Sequence, residues 1–356
     1  MRDQIMNALS KVIDPEIRRP ITELGMIAGV DIDDAGHVDV QALLTVAGCP
    51  LQDTLLGDIE NAVAGVDGVT SVNVTLGVMN DDQRVAMRES LDKSQNPFQD
   101  GATKVLAVAS GKGGVGKSSL TVNLAVALAQ QGLTVGLLDA DIYGHSVPAM
   151  MGVADERLMM VDDMIMPIPA HGVATMSIGL MKESRDQVIA WRGPMLDHAL
   201  GQMLNDVYWG DLDWLLVDLP PGTGDMPMSV GRQLPTASVL VVTTPNAAAY
   251  EVAERAGTLA SRMKQPVIGV VENMSWLDAE CPHCHQTHRI EVFGSGGGAA
   301  AADALSQRLG EPVPLLAQIP MDIAVRSSGD DGTPVVISDP SSPAAQAIVE
   351  LARHLA

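Results

Sequence analysis

Gly111-Lys-Gly-Gly-Val-Gly-Lys-Ser118 decides how the rest of this 356-residue chain is read. It follows an apolar run, Val105 to Ala109, and opens a segment of helical character, Ser119 to Gln130. A phosphate-binding loop needs that order of strand, loop and helix. Glycines let the backbone curl until successive N–H groups face anionic oxygens, and a helix N-terminus adds a field of the right sign. Lys117 is placed to reach the β- and γ-phosphates of a nucleotide, and the Ser118 hydroxyl to hold Mg²⁺. A glycine-rich turn with chance lysines is the competing reading, and the flanking strand and helix argue against it. The predicted nucleotide-binding set is Gly111, Lys112, Gly113, Gly114, Val115, Gly116, Lys117, Ser118 and Ser119.

Composition narrows the class. Hydrophobic residues make up 46% and charged residues 19%, as in a globular protein of two or three domains. The formal net charge of −22 disfavours non-specific attraction to nucleic acid or anionic lipid, and no dense Lys/Arg run offsets it. No apolar run has the length of a membrane span. The start, MRDQIMNALSKVIDPE, carries acids and lacks the apolar core of a signal peptide. Three cysteines give no disulfide framework and fit a reducing compartment. The expectation is a cytoplasmic protein with neither nucleic acid nor membrane as partner.

Working outward from the loop, residues 1–79 read as a small α/β domain. It has a helix near Asp3–Ile13, a strand near Val38–Val46, a helix near Pro50–Val63 and a strand near Val69–Leu76. Residues 80–103 are polar, weakly periodic and read as a linker, helical in part. From 104 to 356 apolar runs alternate with amphipathic segments: VLAVAS, TVGLLDA, WLLVDLPP, SVLVVTTP, PVIGVVEN and PLLAQIP. Such runs predict buried, mostly parallel strands with crossover helices, hence an α/β P-loop NTPase fold. Function in such a sheet gathers at the carboxyl ends of strands. Asp139, Asp141, Asp218 and Asn273 all fall there. Asp218, closing Trp214–Val217, is placed for the Mg²⁺ shell. The turn-rich Pro220-Pro-Gly-Thr-Gly-Asp225 after it reads as a γ-phosphate-responsive switch. Either acid of Leu138-Asp-Ala-Asp-Ile142 is alternatively a simple helix or turn cap.

Lys112 is a second lysine inside the loop. GKGGVGKSS resembles the deviant Walker A motif of the MinD, ParA and nitrogenase-iron-protein class of ATPases. That resemblance implies that Lys112 reaches across a homodimer to the partner's nucleotide, as an arginine finger does. It also implies that Asp141 orients the attacking water, with Asp139 nearer the metal. Asn273 and the turn Ile319-Pro-Met-Asp322 resemble base-recognition elements, and adenine is inferred from the class. The implied catalytic set is Lys112, Lys117 and Asp141.

Cys281-Pro-His-Cys284 is the second informative feature. Two thiolates at this spacing ligate one metal or one cluster edge. The only other cysteine, Cys49, is far away in sequence. Several readings stand open. His283, His285 or His288 completes a zinc site within one chain; the pair is a redox dithiol; or two chains each give a pair across a twofold axis. Cys281-Pro-His-Cys-His285 also spells a c-type haem attachment signature, which belongs to exported proteins.

Trp191-Arg-Gly-Pro-Met195, Val207-Tyr-Trp-Gly-Asp-Leu-Asp213, Val217-Asp-Leu-Pro-Pro-Gly-Thr-Gly-Asp225, Val271-Glu-Asn-Met-Ser275 and the cysteine pair resemble the Mrp/ApbC family of iron–sulfur cluster carrier ATPases. Asp14-Pro-Glu16 and Thr45-Val-Ala-Gly-Cys-Pro50 resemble the iron–sulfur assembly domain often fused ahead of them. The resemblance implies ATP with Mg²⁺, slow hydrolysis, and a homodimer holding a 4Fe–4S cluster at Cys281 and Cys284 for delivery to apo-proteins. His285 departs from the family, where glycine is common after the second cysteine, and leaves an extra imidazole ligand open. The rivals are a spatial-organisation ATPase of the MinD/ParA type and an ATP-dependent reductase component. The C-terminal segment Ala344–Ala356 has one arginine and one glutamate, which suits a core helix rather than a basic lipid-docking one. Six methionines between Met150 and Met166 read as core filling or as a client surface.

Overall fold

The computed structural model describes residues 1–15, 17, 19–45, 52–90, 98, 101–141, 144, 146–161, 164–181, 193–246, 255, 257–281 and 283–356. It divides into two compact units, residues 1–95 with 159–166, and residues 96–158 with 167–356.

The first unit is built on a three-stranded sheet in the order β1 (Ile27–Ile32), β2 (His37–Leu44), β3 (Ser71–Val78). β2 alternates: Val38, Val40, Ala42 and Leu44 are buried, and the residues between them are not. α2 (Gln52–Ala64) connects β2 to its parallel neighbour β3 and buries Leu55, Ile59 and Val63. α1 (Arg2–Leu9) contributes Ile5 and Leu9. β1 was not expected from the sequence. It is joined to β2 by a tight antiparallel turn, in which the Asp33 carboxylate accepts from the N–H groups of Ala35 and His37 and Gly36 takes φ +82°. The stretch read as a linker contains α3 (Asp81–Ser90). Its start is a reciprocal cap: Gln83 N donates to Asn80 Oδ1, and Asn80 N donates to Gln83 Oε1. A β6–β7 hairpin (Met159–Val161, Met164–Met166) completes the unit.

The second unit is a nine-stranded, mostly parallel sheet flanked by helices. Its main path runs β13 (Thr287–Ile290), β12 (Val267–Glu280), β11 (Ser238–Thr243), β4 (Lys104–Ser110), β10 (Trp214–Asp218), β5 (Val135–Asp139), β9 (Val173–Ser177), β8 (Ile168–Ala170). β14 (Leu315–Met321) pairs with β12. The six apolar runs quoted above are β4, β5, β10, β11, β12 and β14. Their continuous apolarity reflects burial on both faces, and every residue of β5 and β10 is buried. β8 and β13 are antiparallel to their neighbours and had no comparable run.

Two connections position the site. After β4 the chain enters α4 (Lys117–Ala129) and emerges in β5, but β10 is inserted between β4 and β5. That break in order opens a crevice at the carboxyl ends of β4 and β10, where such sheets bind ligands. α4 is apolar nearly all round because it lies under other elements, including the C-terminal helix Pro343–Leu355. That last helix is capped by Ser342, whose Oγ accepts from Ala345 N, and it buries Ala344, Ala345, Ile348, Leu351 and Ala352. It packs as a core helix. Among the described residues no helix is long and apolar enough to cross a membrane. Of the six methionines, Met151 and Met166 are buried and Met160 is exposed, so the group is split rather than being one surface.

Leu216 sits fully buried in the middle of β10, between β4 and β5. Leu216→Ala should lower the unfolding free energy of this unit by about 2–5 kcal/mol in urea titrations without nucleotide.

Candidate functional site

Strand register brings the acids together. Asp218 ends β10 directly beside Asp139 of β5, and Asp139 lies beside Ser177 of β9. Three residues far apart in sequence thus form one row at the carboxyl edge. Facing them is the N-terminus of α4, whose preceding Gly116 has φ +76°, as does Gly114. Non-glycine residues rarely adopt that conformation. A Cβ at Gly116 would also collide with the Asn273 amide. Residues 111–116 therefore form the bend expected, with Gly113 and Gly114 exposed and Val115 buried beneath.

Lys117 and Asp218 are buried and ion-paired, Nζ to Oδ1 at 2.6 Å. Ser118 Oγ donates to Asp218 Oδ2 at 2.6 Å, and the Thr121 hydroxyl lies 2.9 Å from Oδ1. Asp139 accepts from Ser177 Oγ at 2.8 Å and from the Asp141 N–H at 3.0 Å. Burial, then the neighbouring charge of Asp218, push the Asp139 carboxyl up to about 7, while Ser177, the Asp141 N–H and Lys117 pull the other way. Asp141 is buried; its Oδ1 accepts from Gly144 N at 3.1 Å, and a Cβ on Gly144 would press on the carboxylate. Asp141, Gly144, Pro220, Pro221 and Asp225 line an open cleft of about 390 Å³. The loop after β10 is tied to the phosphate loop through Gly222 N, which donates to Ser110 O at 2.8 Å.

This donor set fits a nucleotide with its cation. Mg²⁺ takes hard oxygen ligands, and Ser118 Oγ with Asp218 Oδ2, backed by Asp139, supplies them. A buried row of two acids against one lysine is anionic when both acids are ionised, and a divalent ion offsets that charge.

Lys112 is half-buried, and its Nζ donates to Asn246 Oδ1 at 3.3 Å. Asn273 lies within β12 rather than at the carboxyl end of a strand. Its Nδ2 donates to Val115 O at 2.9 Å, and its Oδ1 accepts from Met274 N at 2.9 Å. Asp322 caps the helix Ile323–Asp330, accepting from Ala324 N. Ser119 Oγ lies 3.5 Å from Met150 Sδ.

Beyond Asn273, β12 runs on past β11, whose pairing with it ends at Glu272. Met274 takes φ +56°, the pairing with β14 shifts register, and Leu277–Glu280 pairs antiparallel with β13. The Cys281–Cys284 turn closes this hairpin: Cys281 N donates to Gln286 O and His285 N to Cys281 O, both at 2.9 Å. Backbone N–H groups of Cys284 and His283 draw the Cys281 thiol below its ordinary range. The ligand atoms of Cys281, Cys284 and His288 lie within 4.8 Å of one another, with Cys284 Sγ 3.6 Å from His288 Nε2. His285 is not part of this group. Its backbone is left-handed, φ +54°, and its Nδ1 faces Glu280 Oε1 at 3.1 Å. The extra imidazole beside the thiols is therefore His288. Arg289 stacks on Trp276 across the hairpin, 3.7 Å from the ring centroid. Cys49, Trp191 and Arg192 lie outside the described residues.

Four site residues were not singled out from sequence. Thr121 had a local signal, since i+4 from Lys117 shares its helix face. Ser177 and Asn246 had none, because strand pairing and loop return place them. Glu272 is buried and accepts from Gln318 Nε2 at 2.8 Å and from Gly298 N, which anchors the helix Gly297–Leu309.

The interrupted parallel sheet, the bend before α4 and the acid closing β10 define a P-loop NTPase. Residues 101–356 match the family described as NUBPL iron-transfer P-loop NTPase, and residues 2–76 match one described as iron–sulfur cluster assembly protein. The chain belongs to the iron–sulfur cluster carrier family of P-loop NTPases. A relative from Mycobacterium leprae called iron–sulfur cluster carrier protein is 48% identical over 361 residues, covering 100% of this chain and 92% of the relative. A solved nucleotide-binding protein from Archaeoglobus fulgidus, in complex with ADP and with Co found by PIXE, is 35% identical with a TM-score of 0.52, covering 64% of this chain and 86% of that one. The septum site-determining protein MinD of Pyrococcus horikoshii, with Mg-ADP, is 22% identical with a TM-score of 0.51 over 71% of this chain and 96% of its own. That last likeness is one of fold.

Without metal or nucleotide, Asp139 holds its proton more tightly folded than unfolded, about 7 against 3.8. Its contribution to stability is complete below about pH 4 and is lost as pH rises to 7. Between pH 4.5 and 7.5, urea unfolding followed by tryptophan fluorescence should show the wild type losing a few kcal/mol relative to Asp139→Asn, which lacks this titration.

Proposed function

We propose that this chain is a cytoplasmic, homodimeric ATPase that takes up a 4Fe–4S cluster between its two copies and passes it to apo-proteins. One observation carries this reading: β12 holds Asn273 against the phosphate loop at one point and delivers Cys281 to an exposed hairpin eight residues later. At about 3.3 Å per residue those points are at most some 26 Å apart along one strand. A shift of the loop at Val115 is felt by the strand that presents the thiols. The full-length similarity to carriers supports the same reading.

ATP binding, in this account, uses the N–H groups of residues 111–118 and the Lys117 ammonium to hold the phosphates, with Asn273 at the adenine side. Ser118, Asp218 and Asp139 would hold Mg²⁺, which would neutralise phosphate charge. Asp141, at the edge of the cleft, orients the water that attacks the γ-phosphorus; its O–P bond forms as the bond to the ADP oxygen breaks, and the products are ADP and phosphate. Lys112 leaves Asn246 to meet the partner's nucleotide. Cys281 and Cys284 of each copy supply four thiolates to the cluster, which is cargo. The exposed Ile290 ends the hairpin, and the exposed Val292 and Phe293 follow it. A lipid-docking role has no support in the C-terminal helix, whose apolar face is buried.

Lys112→Ala should bind ATP within a few-fold of wild type yet hydrolyse it about 10²-fold more slowly or worse. It should also slow delivery of cluster to an apo-ferredoxin or apo-aconitase-type acceptor. Normal delivery with hydrolysis abolished would separate the two activities. Reduction of an acceptor without transfer of iron and sulfide would mean a reductase instead.

A further inference from the structure

We propose that Cys281, Cys284 and His288 of a single chain form a three-ligand site for one thiophilic divalent ion of the zinc class, which competes with the shared cluster for the same thiolates. The mononuclear site stands on its own geometry; the competition rests on the carrier reading above.

The distances match the chemistry. A tetrahedral ion with bonds of about 2.3 Å to sulfur and 2.0–2.1 Å to imidazole nitrogen sets those two ligands about 3.5 Å apart. Cys284 Sγ and His288 Nε2 are 3.6 Å apart, and all three ligand atoms fall within 4.8 Å. Backbone pairing builds the arrangement: His288 is opposite Ala279 in the β12–β13 ladder, and the turn bonds of Cys281 fold the two cysteines back over it. The neighbouring His285 faces Glu280 instead. Two thiolates and an imidazole favour zinc or cobalt over magnesium or calcium. A tetrahedral ion would retain one position not filled from this group, and Cys284 and His288 are exposed, so the ion exchanges with solution. A 4Fe–4S cluster bound by two chains uses four thiolates and has no need of His288. The imidazole thus distinguishes the two occupants.

The test uses full-length, metal-free protein under anaerobic, reducing conditions, with Co²⁺ as the probe. Wild type should bind one Co²⁺ per chain, with sulfur-to-cobalt charge transfer and the intense visible bands of tetrahedral cobalt, and Zn²⁺ should displace it. His288→Asn should weaken Co²⁺ binding at least about tenfold. Cys281→Ser should remove most of the charge-transfer absorption, and His285→Asn should match wild type. Wild-type affinity and spectrum in His288→Asn would overturn the site, as would one ion per two chains. In reconstitution with ferrous iron and sulfide, His288→Asn should build cluster in wild-type yield. One equivalent of Zn²⁺ per chain should suppress cluster formation in wild type and much less in His288→Asn; equal suppression would overturn the competition. Failure of the wild type and of His288→Asn alike to form a sulfide-bearing cluster, with His288-dependent cobalt binding intact, would sink the carrier reading and leave the mononuclear site standing.

Discussion

The carboxylate of Asp218 is the point through which the nucleotide site is held together. It is buried at the end of a central strand and receives Lys117, Ser118 and Thr121, all from the first turns of α4. One acid therefore fixes the orientation of the helix that ends the phosphate loop. Removing one partner of such a buried pair leaves the other charge stranded, at a cost of about 3–5 kcal/mol. The same register that places Asp218 puts Asp139 next to it. Burial first, and then the charge of Asp218 alongside, keep the proton on Asp139 towards neutral pH. A divalent cation is the natural relief for that pairing, and the site is in this sense built for its metal.

The second constraint is the length and path of β12. Its first half is buried sheet, alternating little and paired on both sides; beyond Asn273 it has lost β11, meets β14 again at Leu277, and ends in a partly exposed ribbon with β13. An isolated hairpin is marginally stable. The Arg289–Trp276 stack reinforces it across its width, and Trp276 Nε1 donates to Asp278 along the same strand. The thiols lie beyond the last paired residue of that ribbon, with Cys284 exposed, which leaves them open to a partner copy, to a client and to free metal ions.

Much of this was legible in the sequence, for identifiable reasons. The six apolar runs became strands because both faces of a parallel sheet are buried, which makes the runs continuous. The phosphate loop was legible because glycines with positive φ and a following helix leave a local signature. Asp218 and Asp139 were legible as strand-ending acids. What escaped was placed by long-range pairing: Ser177 reaches Asp139 only through the β5–β9 register, and Asn246 reaches Lys112 across a loop. Partial helicity was legible in residues 80–103, but polar composition hid the bounds of α3, although Asn80 and Gln83 carry a capping box. Between three histidines near the cysteines, spacing gave no choice; the hairpin pairing selects His288 and turns His285 to Glu280. The full length of β12 was not legible, because the apolar run PVIGVVEN stops at Asn273, whereas the chain bends at Met274 and continues to Glu280.

The central claim is that two copies share one cluster. Sedimentation velocity of anaerobically reconstituted protein, recorded both at the protein absorbance and at the cluster's visible absorbance, tests it most directly. The account predicts that the visible signal travels only with a species of twice the chain mass, carrying four iron and four sulfide per two chains. Visible absorbance moving with the single chain would contradict it.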